Sequence, residues 1–103
     1  MPEGLSAKGR VAAEAILTLL KRDEATHTGG CKMFYSPEEW KARGEAYGIG
    51  SLLIVCHDGG DHAGYFNWDY ENYEAVAAMN AALGAVGCYV ESCTCWYSAI
   101  YPI

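Results

Sequence analysis

Two histidines and two aspartates flank a double glycine in the run Cys56-His57-Asp58-Gly59-Gly60-Asp61-His62-Ala63-Gly64. Imidazole and carboxylate both ligate zinc and other divalent first-row metals, and the same groups perform acid–base catalysis near neutral pH. Geometry decides whether the four can act together. If Gly59-Gly60 is the two-residue loop of a hairpin, Asp58 pairs with Asp61 and His57 with His62, which sends the histidines to one face and the aspartates to the other. If the run is an irregular loop beyond the end of a strand, the four groups converge where open sheets bind ligands. No metal-binding spacing such as HExxH is present. A plain turn without metal or cofactor is therefore the expectation, and His57, Asp58, Asp61 and His62 form the alternative set of a small metal-dependent or His/Asp acid–base enzyme.

Five cysteines, Cys31, Cys56, Cys88, Cys93 and Cys95, are an odd number, which suits free thiols in a reducing cytoplasm. In a strand, Cys93 and Cys95 would share one face and could hold a soft metal, but the paired CxxC pattern of a structural zinc site is absent. No neighbouring cation is visible to activate either thiol. Packing is the expected role of all five.

The third chemical feature is a segregation of charge. All seven Lys and Arg lie in the first 43 residues, where six acids leave a net +1; from Gly44 onward there is no cation, and seven acids leave −7. Such a half repels phosphate, so direct nucleic-acid binding is disfavoured and a basic protein partner is favoured. Aromatic residues concentrate in the same half. Asp58, Asp61, Tyr65, Trp68, Asp69, Tyr70, Glu71, Tyr73, Glu74 and Glu91 together make the candidate partner-binding set, with Tyr and Trp as anchors. The aromatic content also predicts a symmetric homodimer that covers the rings a small core cannot.

These groups must be positioned by few elements. Ser6 to Arg22 reads as a helix, with Ala12, Ala15, Ile16, Leu19 and Leu20 on one face and two cations in its last turn. Polar DEATHTGG then breaks the chain, and a short strand is predicted over Cys31 to Tyr35. Ser36-Pro37-Glu38-Glu39 carries every feature of a capped helix start. That helix is predicted to carry Trp40, Gly44 and Tyr47 and to end near Gly48. Ser51 to Cys56 is an apolar run of strand length, suited to cover on both faces. Asp69 is a predicted cap for a helix with the stripe Tyr73, Val76, Ala77, Asn80 and Leu83, closed by Gly87, and one or two strands ending at Pro102 complete the chain.

The pattern predicts one α+β domain over residues 1–103, with a small mixed β-sheet and about three helices largely on one face. No apolar run reaches the roughly 18 to 20 residues that span a bilayer, so no membrane role is expected and the location is read as cytoplasmic. The function expected is that of a small acidic protein–protein interaction module. One use of such a module is to fill the basic, nucleic-acid-binding surface of a partner, as inhibitors carried by phage and other mobile elements do.

Overall fold

The computed structural model describes residues 2–103. Helices α1 (Ala7–Arg22), α2 (Pro37–Ala42) and α3 (Tyr73–Gly84) and strands β1 (Phe34–Tyr35), β2 (Leu53–Cys56), β3 (Cys88–Ser92) and β4 (Tyr97–Pro102) form an α+β domain. The four strands make one sheet of order β1-β2-β4-β3. Every neighbouring pair is antiparallel, which corrects the mixed sheet expected from the sequence. The reason is the connection between β3 and β4. Only Cys93 to Trp96 separate them, too few residues for a crossover, so β4 must return antiparallel beside β3. It does so in the gap between β2 and β3. Those two strands run parallel, joined through α3, with β4 inserted between them.

Side-chain alternation divides the interior into two clusters. Leu53, Val55, Cys88 and Ile100 face α1 and α3, where they meet Ala12, Ile16, Leu20, Met79 and Leu83. Ile54, Cys56, Tyr97 and Ala99 face the other side, where Trp40 of α2 covers them. Two helices thus lie on one face and the short α2 on the other. All four residues of β2 are buried, as a strand covered on both faces requires.

Local signals account for the helix starts. The Ser6 hydroxyl accepts from the Gly9 N–H at 3.0 Å. Ser36 accepts from the Glu39 N–H at 3.1 Å while the Glu39 carboxylate accepts from the Ser36 N–H at 3.1 Å, a complete capping box. The ends were less legible. α2 stops at Ala42, since Gly44 and Gly48 both take positive φ, and Tyr47 is left 63% exposed. Gly48 crosses so close to the sheet that a Cβ there would lie 2.7 Å from Ile54 Cδ1. The strand expected over Cys31 to Tyr35 pairs only at Phe34 and Tyr35.

α3 is capped by Asn72, whose side chain accepts from the Ala75 N–H, and not by Asp69. Asp69 belongs to a separate 3₁₀ turn, Trp68–Tyr70, capped in turn by Asn67. The buried face of α3 is Ala75, Val76, Met79 and Leu83; Tyr73, Ala77 and Asn80 of the expected stripe are exposed. This alanine-rich helix is apolar around most of its circumference, so periodicity alone does not select a face. Among the described residues, no helix is long and apolar enough to cross a membrane.

Candidate functional site

The chain leaves β2 at Cys56 and makes an irregular loop rather than a hairpin. His57 turns inward, 1% exposed, and its Nε2 lies 3.0 Å from the Ser98 hydroxyl on β4. The His57 ring stacks on Phe66 with centroids 5.2 Å apart. His62 is fully buried and its Nε2–H donates to the Cys56 carbonyl at 2.7 Å. That bond places the neutral ring's proton on Nε2 and leaves Nδ1 bare. Neither Nδ1 has a hydrogen-bond partner. Asp58 and Asp61 face solvent instead. The four members of the alternative enzyme set therefore divide, histidines inside and carboxylates outside. No group of three or more His, Cys, Asp and Glu placed to hold a metal ion forms among the described residues.

Burial disfavours the imidazolium form of both rings. It holds His57 down at about 4, with the nearby His62 adding to the effect, and lowers His62 as well. The His57–Ser98 pair has the elements of a base and a hydroxyl nucleophile, but both side chains are sealed within the core and offer no surface to a substrate. The contact ties the loop after β2 to β4.

Gly60 makes this packing possible. A Cβ built there would sit 2.5 Å from both Cε1 and Nδ1 of His62 and 3.0 Å from the Thr28 carbonyl carbon. The loop around Thr28 is pressed on the turn, and the Asp61 N–H donates to the His27 carbonyl at 2.7 Å. Gly60→Ala is expected to lower stability by about 1–3 kcal/mol through overpacking. Gly50→Ala, where no atom lies within 4 Å and φ is not positive, is the control and should change it by less than about 0.5 kcal/mol. Urea midpoints compare the two. Equal midpoints would show that the contact at His62 is relieved at no cost.

All five cysteines are free thiols. Burial pushes Cys56 up to about 12 and raises Cys31 and Cys93, so these three remain protonated near neutral pH. Cys93 and Cys95 lie in the turn between β3 and β4 and not in a strand, so strand alternation does not place them on a common face.

The acidic, aromatic residues divide into three groups. Tyr65 is buried and leaves the set of surface anchors: its hydroxyl donates to Asp23 at 2.7 Å, and burial with that contact pushes its pKa up to about 12. Glu91 lies on β3, away from the β2–α3 connection, on the face that carries Tyr89 and Ala99. The third group is contiguous. Trp68, Tyr70 and Tyr73 are 57%, 56% and 56% exposed, and Asp69, Glu71 and Glu74 beside them are exposed too. Asp58 and Asp61 belong to the same connection between β2 and α3.

Two asparagines that sequence reasoning passed over hold this segment in shape. Asn67 accepts from the Asp69 N–H at 2.9 Å and donates to the Cys95 carbonyl at 3.1 Å, tying the 3₁₀ turn to the β3–β4 turn. Asn72 starts α3. Asn is a strong capping residue, and the spacing of Asn67 and Asn72 ahead of two short acidic runs was the available signal. Between them Glu71 takes φ +56° and ψ +22°, a left-handed conformation that favours glycine. Trp68 and Tyr73 pack ring to ring, with centroids 5.8 Å apart. Beside this segment Arg22, Asp23, Asn72 and Glu74 line a polar cleft of about 330 Å³.

Comparison with protein-family models, curated proteins and solved structures found no match.

Proposed function

We propose that the protein is a protein-binding module whose docking element is the segment Trp68 to Glu74. The observation that carries this reading is the exposure of Trp68, Tyr70 and Tyr73 alongside Asp69, Glu71 and Glu74, in a half of the chain without Lys or Arg. Exposed Trp and Tyr supply large contact area at little entropic cost, and they are enriched among the residues that dominate binding energy. The carboxylates select a partner rich in Lys and Arg and steer its approach. Strain supports the same reading. A glutamate kept in a left-handed conformation costs about 1 kcal/mol that glycine would avoid, and such positions cluster at functional sites. A basic groove that otherwise holds nucleic acid is the surface this charge pattern fits best, and occupying it would inhibit the partner.

The experiment is affinity capture from lysate at low and high salt, followed by binding kinetics with the retained partner. Glu71→Lys with Glu74→Lys should slow association and flatten its salt dependence, because opposite charges steer encounter over a Debye length. Trp68→Ala should speed dissociation by about tenfold or more, the loss typical of a central anchor. A partner held equally well at both salt concentrations, and indifferent to all three changes, would refute the proposal.

A further inference from the structure

The two edges of the sheet are built differently. β1 is two residues long, with Lys32 two positions before it and Ser36-Pro37 directly after it. Short length, a cation and a nearby proline are the devices that stop an edge from pairing. β3, at the opposite edge, has five residues and contains neither proline nor cation. The Lys8 ammonium lies 3.3 Å from where a Cβ on Gly87 would stand, before the strand begins.

Backbone bonds show which peptide groups of β3 are unused. The Ile103 N–H donates to the Gly87 carbonyl at 2.9 Å, and the Cys93 N–H donates to the Tyr97 carbonyl at 3.3 Å. With the register Tyr89↔Tyr101 and Glu91↔Ala99, the odd-numbered residues turn their peptide groups toward β4. The N–H and C=O groups of Cys88, Val90 and Ser92 therefore point away from the sheet.

We infer that this edge pairs with the same edge of a second copy, antiparallel about a two-fold axis at Val90, to continue the sheet across both chains. In that register Val90 faces its own counterpart and Cys88 faces Ser92 of the second copy, so each facing pair exchanges two hydrogen bonds using the unpaired groups. On the Trp40 side of the sheet, Glu91 falls opposite Tyr89 of the second copy. A register centred on Glu91 would set two carboxylates opposite each other, which is unfavourable. A register centred on Tyr89 would place Ser92 opposite Val86, outside the strand.

The helical side is compatible. α3 packs over β3. Its residues Ala75, Ala78 and Ala82 line clefts shared with α1, so at about 3.6 residues per turn the opposite flank, above the free edge, carries Tyr73, Ala77, Asn80 and Gly84. Beyond Tyr73 in the first turn, the residues are exposed, small and uncharged, and allow two copies of α3 to approach above the joined sheet. The inference rests on the β3 edge and not on the docking proposal, although Tyr73 belongs to both surfaces.

Sedimentation velocity of the full chain across the micromolar range tests it. A dimer is expected. Tyr89→Glu puts a carboxylate opposite Glu91 of the second copy at two symmetric positions and should raise the dissociation constant by about tenfold or more. Adding Glu91→Lys should restore association, although the stack of Tyr89 on Tyr101 remains lost, so recovery reports the register and not packing. Val90→Pro removes an N–H that faces away from β4; it leaves the β3–β4 bonds in place and should abolish the dimer, which keeps the test open if Tyr89→Glu fails to fold. A wild-type monomer throughout the range, a dimer indifferent to Tyr89→Glu or Val90→Pro, or a double variant that stays dissociated would overturn the inference.

Discussion

Leu53→Asp and Ile54→Asp are each expected to leave no folded protein. Both side chains are fully buried, Leu53 against the α1 and α3 side of the sheet and Ile54 against Trp40. Replacing either removes about 1.5–3 kcal/mol of apolar burial. It also introduces a carboxyl that finds no water and no cation, at a further cost of about 2–7 kcal/mol even when protonated. The sum is about 4–10 kcal/mol, comparable with the whole stability of a domain this size. Far-ultraviolet circular dichroism and thermal melting decide the matter. A soluble Ile54→Asp variant with a cooperative melt close to that of the wild type would show that the sheet tolerates a charge in its central strand, and would remove β2 from the centre of the fold. Charge reversal at Glu71 is the contrast, because that side chain is exposed and its reversal should scarcely change the melt.

Acidification is expected to cost the protein about 3 kcal/mol through His57 alone. Burial holds its folded pKa at about 4, against 6.5 in an unperturbed chain. The neutral ring is the form the fold accepts, so between those values the unfolded chain binds a proton that the folded chain does not. Stability from this group is complete above about pH 6.5, falls as pH drops through that value and levels off below about pH 4. His62, lowered by the same cause, acts in the same direction. The ion-paired carboxylates occupy a lower window. Asp23, held down by Arg22 and Tyr65, and Glu39, held down by Lys32, lose their stabilising contribution only as the pH falls below the ordinary carboxylate range. Urea midpoints from about pH 7 to about pH 4 separate the two. His57→Gln keeps an amide within reach of Ser98 but cannot titrate, and its profile should be flatter. Identical slopes for the wild type and this variant above about pH 4 would mean that His57 is not the titrating group.

The two histidines also mark the limit of what residue order conveys. His57 and His62 stand at symmetric places around Gly59-Gly60, a pattern that reads first as a plain turn and also fits a metal or acid–base cluster. Their inward orientation follows from partners distant in sequence: the Ser98 hydroxyl from β4, the Phe66 ring, and the loop carrying His27 and Thr28. The acidic, aromatic set was more legible. Its charges and rings are countable; Tyr65 is withdrawn by a hydrogen bond to Asp23 at the end of α1, and Glu91 is carried away on β3.

Elements governed by contacts within one turn were determined by the sequence itself. Ser6 opens α1, Ser36-Pro37 with Glu39 opens α2, and the apolar run ending at Cys56 makes a strand buried on both faces. The charge asymmetry about Gly44 likewise needs no coordinates. Tertiary structure alone decided the antiparallel sheet, because the insertion of β4 between β2 and β3 depends on pairings between residues more than forty positions apart, such as Val55 with Ser98. It also decided between Asp69 and Asn72 as the cap of α3, since either side chain can accept the bond and the tether from Asn67 to Cys95 holds Asp69 in a separate turn. The physical reason is common to both. Capping and periodicity act over three or four residues, whereas strand order and the direction a loop side chain takes are settled by which distant groups exclude water from it.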